Sequence, residues 1–136
     1  QEIKSMQLAT LDELTLISSR RGFLTLVSHS LKVCRRNQVS MSFLFFDLNK
    51  FKAVNDDYGH HEGDFVLARF AQLMLATFRD SDVIGRLGGD EFVAMLSDSD
   101  SDSAGEVLSR FAAAVEDNNK TANKPYNIEY SVGLKH

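Results

Sequence analysis

The chain is poor in cysteine, in excess charge and in long apolar runs, and each shortage excludes a class of protein. Cys34 is the single cysteine in 136 residues. An internal disulfide is therefore impossible, which fits a reducing compartment. No apolar run approaches the length of a membrane span, and no signal-peptide pattern is present. These absences predict a cytoplasmic domain, whether or not a longer parent is tethered to a membrane. The formal net charge is −4, which argues against a general nucleic-acid binder. It leaves room for a nucleotide, whose phosphates can be met by metal ions and a few local cations. No internal repeat and no second domain are visible. What is present is an ordinary globular composition, 43% hydrophobic and 25% charged, in a chain long enough to bury one core.

Periodicity supplies the elements. Residues 1–10 read as the end of an incoming helix or linker. Phe23, Val27, Ser30, Leu31 and Cys34 recur at helical spacing, so a helix is expected from Arg20 to about Arg36. Cys34 lies on its apolar stripe as a small core residue. Met41 to Phe46 is a nearly unbroken apolar run, the mark of a central strand buried on both faces, and it ends at Asp47. A turn is expected at Asn49–Lys52, and Asn55 to Asp64 reads as a structured loop. From about Asp64 a long helix follows, with Val66, Phe70, Leu73, Met74 and Phe78 on its buried face. Val83, Ile84 and Leu87, then Phe92, Val93, Met95 and Leu96, read as two strands joined by a tight turn at Gly88 and Gly89. The Ser/Asp alternation from Ser97 to Ser103 lacks the central Gly and closing Glu of a calcium loop and reads as a solvated loop ending in a helix N-cap. Ala104 to Val115 forms a third amphipathic helix. Tyr126, Ile128, Tyr130 and Val132 alternate with polar residues as a half-buried strand. The fold class is therefore α+β: a central, mostly antiparallel sheet, with the helices expected over one face.

Three places could carry chemistry. Asp47, at the end of a buried strand, needs a partner. It is either a metal ligand or the cap of the following turn. Asp90 and Glu91, at the hairpin tip, either hold a metal or phosphate or sit in a solvated turn. If the hairpin neighbours the Asp47 strand, Asp90 comes within metal-ligand reach of Asp47. Two carboxylates holding Mg²⁺ on adjacent strands suit phosphoryl or nucleotidyl transfer. Lys52, one turn beyond Asp47, could meet a phosphate. His60 and His61 are adjacent, without the spacing of a helical zinc pair and with no cysteine at ligand spacing, so they read as loop histidines.

Gly88-Gly-Asp-Glu-Phe92 resembles the signature of the GGDEF family, the diguanylate cyclases. Asp12-x-Leu14-Thr15 with Arg20-Arg21-x-Phe23 resembles its opening element. Phe46-Asp-Leu-Asn-Lys-Phe-Lys52, then Asn55-Asp56, Gly59-His60 and Gly63-Asp64, follow its second block in order and spacing, and Ser131-Val-Gly133 resembles its late strand. The resemblance makes residues 11–136 the domain, with a fold like the palm of nucleotide polymerases and cyclases. It implies that two GTP become cyclic di-GMP and two pyrophosphates across a homodimer, with two Mg²⁺ or Mn²⁺ in each half-site.

By position it makes Asp47, Asp90 and the Leu48 carbonyl metal ligands, and Glu91 a further ligand or the proton acceptor. Lys52 would bind phosphate, and Gly88 and Gly89 would let the backbone approach it. Asn55 and Asp64 would read guanine, since a carboxylate accepts from the N1–H and 2-amino donors that adenine lacks. Arg79-x-x-Asp82, five residues short of Gly88, resembles the inhibitory product site; otherwise the two residues end a helix and begin a strand. Other expectations are an upstream sensory domain, or a non-catalytic nucleotide sensor or dimerisation module in place of a cyclase. The sequence departs from the family at Leu16, where Gly is usual, at Ser19, where Asn is, and at Asn49, where Asp is common. The family's final helix, with Lys and Arg contacts to the terminal phosphates, is absent from it.

Overall fold

Ser19 starts the first long helix of the described residues. Its backbone is extended and its hydroxyl accepts from the Gly22 N–H at 3.2 Å, an N-cap that satisfies one otherwise unpaired donor. The helix, α1, runs Arg20–Asn37 and ends where Gln38 turns left-handed (φ 55°) over Arg35 and Arg36, which oppose the negative helix end. These features come from a computed structural model, which describes residues 10–97 and 101–135, and of Ser101 the backbone alone. Most of the expected incoming segment and the centre of the Ser/Asp loop lie outside the described residues.

The remaining elements are β1 (Met41–Asn49), α2 (Phe51–Tyr58), α3 (His60–Thr77), β2 (Val83–Gly88), β3 (Glu91–Ser97), α4 (Ser101–Thr121) and β4 (Glu129–Lys135). The strands lie in the order β2-β3-β1-β4, and every neighbouring pair is antiparallel. No helix among the described residues is long and apolar enough to cross a membrane.

Strand β1 is not buried on both faces. Leu44, Phe46 and Leu48 are buried, while Phe45 on the opposite face is 41% exposed. Nor do the helices cover one face only. Leu44, Phe46, Leu48, Phe92, Ala94 and Leu96 face the main core under α3 and α4. Phe23 and Val27 of α1 pack with Val93 and Met95 on the other side. Helix α1 sits over β2 and β3; Met41 and Phe43 of β1 reach its cluster, while Phe45 on the same face is exposed among the described residues. Gly85 permits this seat, because a Cβ there would lie 2.9 Å from Phe23.

The expected loop at 55–64 is instead the last turn of α2, a hinge at Gly59 (φ 95°) and the first turn of α3. Helix α2 has Val54 as its one buried residue, so it left no apolar period to read. The last strand begins at Glu129, later than its alternation indicates. Just before it, the Ile128 N–H donates to Asn119 Oδ1 (2.8 Å) and Asn119 Nδ2 donates back to the Ile128 carbonyl (3.0 Å). The amide side chain stands where a neighbouring strand would.

Phe70 of α3 is fully buried and meets the rings of Phe46, Phe92, Phe111 and Tyr130 at centroid distances of 5.8, 4.9, 5.2 and 5.7 Å. One ring thus ties α3 to β1, β3, α4 and β4.

Leu16 occupies a left-handed backbone position (φ 64°) and is 71% exposed. A leucine there carries the steric penalty of that conformation and gains little burial in return. Leu16→Gly is therefore expected to raise stability by about 1 kcal/mol, seen as a higher urea midpoint with an unchanged slope.

Candidate functional site

The hairpin turn and the end of β1 meet. In the β1–β3 register Asp47 lies opposite Glu91. The Leu48 N–H donates to the Asp90 carbonyl at 3.1 Å, one ladder step beyond the strand pairing. Gly88 pairs with Glu91, so the turn itself is Gly89-Asp90, with Gly89 left-handed at φ 51° and a bulge at Leu87. The turn is thus shifted by one position from Gly88-Gly89, and Gly89 and Asp90 share its apex. No Cβ obstacle stands near Gly88 or Gly89.

Cross-strand partners point to the same face, so Asp47 and Glu91 are like charges side by side, a destabilising pair in isolation. Both are exposed, Asp90 is half-buried, and among the described residues none of the three carboxylates has a hydrogen-bond or ion-pair partner. They do not converge as one group of three metal-binding side chains. A pair of acids with a backbone carbonyl is nonetheless the donor set Mg²⁺ uses when water and phosphate complete its shell. The uncompensated acids fit a cation.

Lys52 lies in the first turn of α2. Lys50 before it is left-handed (φ 60°) and pairs loosely with Glu129 at 3.8 Å, an exposed contact of little energetic weight. Across Gly59 the Asn55 amide lies against Gly63, the residue before Asp64: a Cβ at Gly63 would collide with it. Asn49 accepts from the Ser131 hydroxyl at 3.0 Å, a role a carboxylate would fill equally.

Arg79 and Asp82 are each other's partners. The Arg79 N–H donates to Asp82 Oδ2 (2.9 Å), and its Nη2 donates to Asp82 Oδ1 (3.2 Å) and to the Ser97 carbonyl (3.0 Å). The Asp82 side chain is buried and the Arg79 side chain about half exposed. Together with Leu75, Phe78, Asp80 and Ile84 they line a cleft of about 160 Å³.

Arg86 escaped the sequence reading. Its Nε donates to the Gly89 carbonyl at 2.9 Å and its Nη1 to both Asp12 oxygens at 3.2 Å. Asp12 Oδ2 also accepts from the Thr15 N–H and hydroxyl at 2.9 and 2.7 Å. The opening element thereby braces the hairpin turn. The signal was a lone arginine before the glycines and an acid far upstream in Asp12-Glu13, which nothing in sequence joins. Burial raises the Asp12 pKa, but the Thr15 hydrogen bonds and Arg86 outweigh it, and the net shift is downward from 3.8. A lowered carboxyl stabilises the fold above its unfolded-state pKa and loses that contribution as pH falls. The urea midpoint of the wild type is therefore expected to drop more steeply below pH 3.8 than that of Asp12→Asn.

Known proteins resemble this chain in sequence and in fold. A family model described as "Diguanylate cyclase, GGDEF domain" matches residues 9–136. The probable diguanylate cyclase DgcE of Escherichia coli K12 is 40% identical over 109 residues, 80% of this chain and 10% of that protein. The bifunctional diguanylate cyclase/cyclic di-GMP phosphodiesterase MucR of Pseudomonas aeruginosa is 33% identical over 95% of this chain and 19% of its own. The chain thus spans a small part of these relatives. Among solved structures, the diguanylate cyclase SiaD of Pseudomonas aeruginosa, in complex with its activator SiaC, superposes with a TM-score of 0.85 at 30% identity, covering 98% of this chain and 52% of that one. A microbial GGDEF domain solved for its interaction with cyclic di-GMP gives 0.78 at 27% identity, over 93% and 77%.

Proposed function

Because the chain belongs to the GGDEF family of diguanylate cyclase domains, we propose that it condenses two GTP into cyclic di-GMP and two pyrophosphates. The observation that carries this reading is the unpartnered acid pair Asp47 and Glu91, with Asp90 at the adjoining apex. Asp47, the Leu48 carbonyl, Asp90 and Glu91 would hold Mg²⁺ or Mn²⁺, two per half-site. When bound, such ions clamp phosphate oxygens, lower the pKa of the attacking hydroxyl and neutralise transition-state charge. Lys52 binds terminal phosphate oxygens. Gly88 and Gly89 present backbone to the phosphates without a side chain in the way. Asn55 and Asp64 fix the guanine.

Each GTP belongs to one subunit of a homodimer. The 3′-oxygen of one bonds to the α-phosphorus of the other as the bond to pyrophosphate breaks, and Glu91 takes the hydroxyl proton. The domain works in the cytoplasm under an upstream sensory domain. Incubation of the full-length protein with GTP and Mg²⁺, followed by chromatography, should yield cyclic di-GMP. Nucleotide bound at saturation without turnover would instead assign a sensor.

Arg79 and Asp82 form the product site in this reading. A guanidinium can grip phosphate or the guanine O6/N7 edge in two contacts, and half of the Arg79 side chain faces solvent. Arg79→Ala should raise the cyclic di-GMP concentration needed for half-inhibition by at least about tenfold. Unchanged inhibition removes that site.

A further inference from the structure

A second cluster, away from the acids, grips the hinge that carries the guanine readers. Glu62, in the first turn of α3, accepts the Tyr126 hydroxyl at 2.6 Å and the Lys124 ammonium at 3.0 Å on one oxygen. Tyr126 packs against Tyr58, the last residue of α2, with ring centroids 5.3 Å apart. The Tyr58 hydroxyl donates to the Pro125 carbonyl at 3.3 Å. Lys124 lies 4.4 Å over the Phe65 ring. The segment 124–126, between α4 and β4, thus holds the end of α2 and the start of α3 at once. Between Tyr58 and Glu62 lies Gly59, at a positive φ of 95° that glycine adopts readily, and just past Glu62 lies Gly63, whose backbone abuts the Asn55 amide.

We infer that Glu62, Tyr126 and Lys124 are positioning residues that set the angle between α2 and α3, and so the spacing of Asn55 and Asp64 on the guanine edge. The inference rests on the guanine-reading role proposed above. Its physical basis is that α2 is short, buries one side chain and meets α3 through a glycine, so the side-chain contacts of 124–126 add to the backbone hydrogen bonds at Gly59 in fixing that junction. A site arranged before the ligand arrives loses less affinity to ordering. The cluster is set for this at neutral pH. Burial and the Glu62 carboxylate push the Tyr126 pKa up, keeping it a donor. The Tyr126 and Lys124 contacts hold Glu62 below the usual range, keeping it an acceptor.

The test uses GTP and ITP, which differ by the 2-amino group that a carboxylate at Asp64 would accept from. Calorimetric titration with Mg²⁺ present should show the wild type preferring GTP. In Tyr126→Phe and Glu62→Ala, the GTP dissociation constant should rise about tenfold while ITP weakens less, so the preference shrinks. Glu62→Gln, which still accepts from Tyr126, should restore most of it. A general loss of stability would weaken both nucleotides together and leave the ratio unmoved. A wild type that prefers GTP, with variants that keep the full preference, overturns the clamp alone. A wild type with no preference overturns the guanine assignment and the clamp with it.

Discussion

Asp90→Asn is expected to reduce cyclic di-GMP formation by about three orders of magnitude while leaving the fold intact. The reason lies in the turn. Asp90 sits at the apex of a two-residue loop whose backbone is fixed by the Leu48 N–H on its carbonyl and by Arg86 on the neighbouring Gly89 carbonyl. Neither contact uses the Asp90 side chain, so the amide variant keeps the turn. What it loses is one anionic donor to a cation, and cation stabilisation of the transferring phosphate amounts to several kcal/mol, at tenfold in rate per about 1.4 kcal/mol. Thermal stability should hold or rise slightly, because a negative charge next in chain to the like-charged Asp47–Glu91 pair has been removed. Turnover measured by product chromatography, alongside a melting curve, separates the two effects. Wild-type turnover in Asp90→Asn would remove that residue from the metal site.

Phe70→Ala should cost about 3–5 kcal/mol of stability, the range for emptying an aromatic core position. Phe70 is fully buried, and its ring lies against residues of β1, β3, α4 and β4. Collapse around the void is hindered because those neighbours belong to different elements, each held by its own backbone pairing. Phe70→Leu keeps much of the volume and should cost clearly less. Urea denaturation reads both. A cost for Phe70→Ala below about 1 kcal/mol would mean that this ring is not the hub of the core.

The site was partly legible before any coordinates. Asp47 and the hairpin acids could be placed because a Phe-rich run and two short apolar strands announce themselves by composition alone. The sequence brought Asp90 towards Asp47 only if the hairpin neighboured that strand; that Glu91 is the residue opposite Asp47 came with the β1–β3 register. Helix α2 was not legible: it exposes Asp56, Asp57 and Tyr58 and buries one residue, so its polar stretch reads as loop. The Asp12–Arg86 brace and the Glu62–Tyr126 contact were hidden for another reason. Each joins residues more than sixty positions apart, and single-sequence patterns carry no distance of that kind.

Apart from α2, the order of helices and strands, the chemistry available at their ends, and the family follow from local pattern, because periodicity and turn residues act within a few positions along the chain. Which face of the sheet each helix covers, and where the hinge between α2 and α3 is pinned, were settled only on folding. Alternation records that a face is buried but not by what. The partner is chosen by the packing of distant elements such as α1 over β2 and β3.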